Sequence, residues 1–144
     1  MGKLKCTTRR KYWLFGPKEY ILEGKLLDFD TTSFNGYVYS RECIVSAVEN
    51  LKDKAECKRL YGTYLSDASS DSTTDLRLSS ITHQIYGLKT DDYGLRGKMK
   101  ILDTPDGRCI KKMLDANVPM HSVFVGWAND KTIESIIRFD LTIK

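Results

Sequence analysis

The chain has 144 residues, 41% apolar and 29% charged, a balance that fits one folded domain with its own core and excludes a disordered chain. Its 23 basic and 19 acidic residues leave a net charge of +4, enough to favour an acidic surface but too mild to indicate nucleic acid alone. No apolar run reaches the length that a transmembrane helix needs, so neither a membrane nor a nucleic acid is an expected partner.

The opening MGKLKCTTRRKYWLFGPKEY is basic, but no apolar signal-peptide core follows it. Gly2 also lacks the Ser or Thr at the sixth position that a myristoylation signal carries. Residues 1–17 mix Arg9, Arg10 and Lys11 with the aromatic YWLF and end at Gly16-Pro17, which reads as an N-terminal arm or an edge segment. The single domain is expected over residues 18–144. Within it, EYILEGKLLDFD reads as an apolar strand, and Asn35-Gly36 in the following TTSFNGYVYS signals a turn.

SRECIVSAVENLKDK predicts a helix, with Ser40 as N-cap and Ile44, Ala47, Val48 and Leu51 on one face. The polar run SDASSDSTTD cannot pack a core and reads as an exposed loop. LSSITHQIYGL and LRGKMKIL alternate as strands around a turn at KTDDYG. In the second, Leu95, Gly97, Met99 and Ile101 share one face, while Arg96, Lys98 and Lys100 form a basic stripe expected to be solvated. DTPDGRCIKKMLDANVP predicts a second helix capped by Thr104, started by Pro105 and buried through Ile110, Met113 and Leu114. MHSVFVGW returns as a strand. The last strand alternates Ile137, Phe139, Leu141 and Ile143 against Arg138, Asp140 and Thr142. Several strands with two separated helices predict an α+β domain, a small curled sheet or barrel flanked by helices.

Cys6, Cys43, Cys57 and Cys109 are scattered without a Cys-x-x-Cys, and two histidines cannot complete a zinc site. No metal and no cofactor is expected, and the thiols read as free and partly buried. His121 and Ser122 are adjacent, but successive side chains of a strand point to opposite faces, so they cannot act as a catalytic pair. His83 is the other histidine. Its apolar neighbours Ile81 and Ile85 favour a hydrogen-bonded core residue over a general base.

The order of FNGYVYSRECIVSAVENL, RLYGTYLSD, the stretch from SSITHQIYGL to VPMHSVFVGW, and IIRFDLTI resembles the prohead (capsid maturation) serine proteases of tailed phages. KILDTPDGRCIKKMLDANVP carries the most specific part of that likeness, which spans roughly residues 20–143. The resemblance implies a fold similar to that of the herpesvirus assemblins and places Ser122 at the nucleophile position. The family's Ser-x-Arg-Gly-like element reads Val123, Phe124, Val125, Gly126 after that serine, without the arginine. Its Gly-Glu-Leu-x-His-Pro-like element keeps Gly62, but the histidine position falls on or next to Ser66 and the proline at Asp67.

A serine hydroxyl without a base loses orders of magnitude in rate. The expectation is therefore an inactive descendant with no intact catalytic set, in which His83 serves only if the chain is active. Such a chain would be a structural virion protein, an auxiliary or decoration protein assembled in the host cytoplasm. Its partners would be the major capsid protein and further copies of itself. An active prohead protease and a small phage regulator or host-defence inhibitor are the alternatives.

Overall fold

The computed structural model describes residues 4–12, 15–29, 40–57, 60–65, 80–129 and 132–143. The Asn35-Gly36 turn, the SDASSDSTTD loop and Ser66 lie outside them. In chain order the elements are β1 (Lys5–Tyr12), β2 (Phe15–Asp28), α1 (Arg41–Glu56), β3 (Tyr61–Thr63), β4 (Ile81–Thr90), β5 (Gly94–Ile101), α2 (Pro105–Asp115), β6 (His121–Asn129) and β7 (Thr132–Thr142). Among the described residues the fold is therefore mixed α+β, with antiparallel sheets and two helices.

Strands β1-β2-β5-β4-β3 form one sheet in that order, and β6-β7 form a second. Two contacts join their ends. On one side, Tyr64 bridges Leu141 in parallel and the Leu65 N–H donates to the Leu141 carbonyl at 2.8 Å. On the other, the Leu4 N–H donates to the Met120 carbonyl at 2.9 Å.

Both helices start where the sequence signals them. The Ser40 hydroxyl accepts from the Cys43 N–H at 3.3 Å, and Ile44, Ala47, Val48 and Leu51 are buried with Ala55. The Thr104 hydroxyl accepts from the Gly107 N–H at 3.0 Å and donates to the Ile81 carbonyl, so one side chain caps α2 and ties it to β4. Ile110 is buried, with Met113 and Leu114 packed against the core. The five-stranded sheet contributes Leu22, Leu26, Ile85, Leu95 and Met99 to the same cluster, and β7 contributes Phe139 and Leu141.

The alternation of β5 holds: Leu95, Gly97, Met99 and Ile101 are buried, while Arg96 is exposed and Lys98 and Lys100 are half-buried. Lys100 lies 3.4 Å from Glu19 and Arg96 lies 3.8 Å from Asp91, so the basic stripe is interleaved with carboxylates. At this exposure such pairs add little stability. The hairpin turn is tighter than KTDDYG suggests. The Asp91 carboxylate accepts from the N–H groups of Tyr93 and Gly94 at 2.7 and 2.9 Å, a side-chain mimic of a backbone turn.

The segment read as an arm or an edge segment contains β1, an edge strand paired antiparallel to β2 from Lys5↔Glu23 to Tyr12↔Phe15. Two expectations change. The cysteines are free but not mostly buried: Cys6, Cys57 and Cys109 are exposed and Cys43 is intermediate. Finally, β7 is buried on both faces rather than one, since Arg138, Asp140 and Thr142 are as inaccessible as Phe139 and Leu141. The cause is tertiary: α1, β3 and β6 all pack against this strand.

The central position of Ile85, fully buried in β4, gives a direct test. Ile85→Ala should lower unfolding stability by about 2–5 kcal/mol in urea titration, the range for emptying a core aliphatic site. A loss under about 0.5 kcal/mol, typical of surface sites, would contradict this packing.

Candidate functional site

Strand register decides the relation of the two adjacent candidates. Ser122 pairs with Leu141 and Phe124 with Phe139, whereas His121 pairs with Thr142 and Val123 with Asp140. His121 and Ser122 therefore project from opposite faces of the β6-β7 ribbon. Ser122 is completely buried, and its hydroxyl has no hydrogen-bond partner among the described residues. His121 is partly exposed.

His83 sits near the start of β4, opposite Gly62 of β3 on one side and Ile101 of β5 on the other. It is fully buried. Its Nε2 lies 2.7 Å from the Phe139 carbonyl, and its Nδ1 lies 2.8 Å from the Thr82 hydroxyl. A carbonyl only accepts, so Nε2 carries the proton and Nδ1 accepts from Thr82. Burial then pushes the imidazole down to about 4, opposed by the Phe139 carbonyl and aided by the Arg138 charge. The ring is neutral at pH 7 and both nitrogens are engaged.

Gly62 makes this possible. A Cβ there would stand 2.2 Å from His83 Nε2 and 2.3 Å from the Phe139 oxygen. Only a residue without a side chain lets the imidazole reach across from β4 to the backbone of β7.

Beside this contact lies a buried ion pair. Arg138 Nε and Asp140 Oδ1 are 2.9 Å apart on one face of β7, with side-chain exposures of 2% and 0%. The Thr63 N–H donates to the same oxygen at 3.0 Å, while Asp140 Oδ2 has no partner among the described residues. Burial raises the Asp140 pKa; the Thr63 hydrogen bond and the Arg138 cation pull it down, and burial wins.

The structure thus brings His83, Gly62, Thr63, Arg138 and Asp140 together where β3, β4 and β7 meet. It leaves Ser122 without a histidine in hydrogen-bond reach. As arranged, the serine hydroxyl has no general base, and the imidazole has no free lone pair to offer one. The Arg138–Asp140 pair was legible only as alternation; its burial follows from packing that strand periodicity does not encode. Among the described residues, no three of His, Cys, Asp and Glu cluster to hold a metal ion, and no helix is long and apolar enough to cross a membrane.

No family model matches the chain, and no curated protein does. Among solved structures, the bacteriophage T4 capsid assembly protease, gp21, superposes with a TM-score of 0.62. The match covers 96% of this chain and 92% of that one at 12% identity. The chain is thus similar in fold to a phage capsid assembly protease.

The buried imidazole makes stability depend on pH. The unfolded ring takes up its proton near 6.5 and the folded one only near 4, so the unfolded state binds more protons between those values. This contribution is complete above 6.5 and is lost as pH falls to about 4, amounting to about 3 kcal/mol. Asp140 acts in the opposite direction. Its raised pKa makes the folded carboxyl take up its proton first as pH falls towards 3.8, which adds stability in acid. The histidine limb should therefore be read above the carboxylate range, as a fall in urea midpoint below pH 6.5. Ring-carbon NMR shifts should show His83 neutral down to pH about 5. Titration of that ring near 6.5 would contradict its burial.

Proposed function

We propose that the chain is a structural protein of a tailed-phage virion, an auxiliary or decoration protein that uses a prohead-protease-like fold without protease chemistry. The observation that carries this reading is the state of the two candidate catalytic groups: Ser122 is sealed in the core, and both His83 nitrogens are committed elsewhere. The likeness in fold to the T4 capsid assembly protease supports a capsid setting. A fold retained without its chemistry is available for binding. Its partners are the major capsid protein and further copies of itself, and its place is the virion, assembled in the host cytoplasm.

The finer architecture we propose is a curled, barrel-like sheet. The Leu65–Leu141 and Leu4–Met120 hydrogen bonds at the two ends of the five-stranded sheet support it. In this reading the lost histidine motif falls on or next to Ser66, and Ser122 is a relic of the nucleophile. An active prohead protease remains the competing reading. It requires Ser122 to become exposed and a base to approach it.

Two measurements separate the readings. Mass spectrometry of purified mature particles should find the chain at high copy relative to coat protein. A fluorophosphonate probe should not label Ser122, and Ser122→Ala should change stability by less than about 1 kcal/mol, because the hydroxyl removed is buried and unpaired. Cleavage of purified coat or scaffold protein that Ser122→Ala abolishes would restore the protease.

A further inference from the structure

β1 is exposed on both faces: each residue from Lys5 to Arg10 is open to solvent, although the strand holds a regular antiparallel register with β2. It ends the five-stranded sheet, and its extensive contacts are with β2 alone. Every second N–H and C=O along it therefore points away from the sheet without a strand to receive it, among the described residues.

An edge of this kind is a template for pairing, and folded proteins usually blunt it with a short strand, a proline or an interior bulge. β1 does none of these. It runs for eight residues, KCTTRRKY, has no proline, and its one register shift lies at the far end, between Arg10 and Tyr12. What it carries instead is charge of a single sign. Lys5, Arg9 and Arg10 are exposed on the strand, and no acidic residue occurs in it. Arg9 is met at 3.0 Å by Glu19 of β2, while Arg10 donates only to the Gly16 carbonyl at 3.2 Å. Among the described residues neither Lys5 nor Arg10 has a carboxylate partner.

These features choose the occupant. A second copy of β1 would set four basic residues, Lys5, Arg9, Arg10 and Lys11, against the same four with no acidic residue on either strand, which disfavours self-pairing. A nucleic acid would use the charge but none of the backbone donors and acceptors in strand register. An acidic strand uses both. We propose that the outer edge of β1 is a docking strand that takes an extended acidic segment of a partner protein by β-augmentation. The cations then disfavour pairing of two copies through this edge and admit the partner, a division of labour between repulsion and attraction. This goes beyond the capsid reading and does not depend on it.

The test uses the full chain and a fluorescein-labelled peptide of about ten residues alternating Glu and Val, long enough to span β1. Fluorescence anisotropy should show saturable binding that weakens at least about tenfold between low and high salt. Lys5→Glu with Arg10→Glu should weaken it about tenfold or more, as should replacing Glu by Lys in the peptide. Two further peptides, N-methylated at odd or at even positions, separate pairing from mere charge. Alternate amides of a strand face opposite edges, so one methylated series should lose binding and the other keep it. Amide exchange across β1 should slow on binding. The proposal is overturned if no binding appears at about 1 mM peptide, a very weak limit. It is equally overturned if both methylated series bind like the parent, or if an oligothymidine of matched charge binds more tightly than the peptide. Absence of binding would leave the cations of β1 as a guard against aggregation, and the other two outcomes would make them a charge surface without strand pairing.

Discussion

The imidazole of His83 reaches from β4, past the bare backbone of Gly62 in β3, to donate a hydrogen bond to a carbonyl of β7. That contact joins three strands from two sheets at a fully buried point. The short strand β3 runs alongside it as a seam, with the Thr63 N–H on the Asp140 carboxylate and the Leu65 N–H on the Leu141 carbonyl. Three residues of regular strand could not hold a sheet junction by ladder bonds alone. The side-chain bonds from His83 and Asp140 supply what the short ladder lacks.

The buried polar groups at this seam cost free energy to desolvate, and their attraction offsets that cost only while each partner stays in place. Removing Asp140 would take the carboxylate partner from the Arg138 guanidinium, whose side chain is only 2% exposed. Such a cluster is stable in one geometry and poor in others, which fixes the register of β7 against β3. It also limits chemistry. A general base works best with a pKa near the operating pH, and a histidine held near 4 is a weak one.

Much of this architecture is written locally in the sequence. The caps at Ser40 and Thr104, the apolar stripe of α1 and the alternation of β5 each depend on neighbours within a few residues, and each appears where the pattern puts it. The opposite facing of His121 and Ser122 follows from the same local rule. What was not legible depends on distant partners. β7 carries the alternation of a half-buried strand, yet α1 and β3 cover what one face would expose. His83 could be read as a core residue, but its partner lies 56 positions away, and only packing chooses the Phe139 carbonyl. Gly62 carried a signal of that choice, because a glycine inside a strand often marks a close approach. The exposure of the cysteines had no local signal at all.

A serine and a histidine on neighbouring parts of one fold can serve catalysis or architecture, and the difference lies in which atoms are already spoken for. To activate Ser122, the chain would have to open a fully packed strand face and bring a base to it. If His83 were that base, it would first surrender two buried hydrogen bonds, one to the Phe139 carbonyl and one from the Thr82 hydroxyl. Each unpaired buried group costs about 1–3 kcal/mol, and the Arg138–Asp140 pair would lose the packing that shields it. Catalysis by this pair would thus oppose the contact on which the two sheets depend. The same contact, left intact, holds the two sheets together, while β1 stands exposed at the edge of the five-stranded sheet.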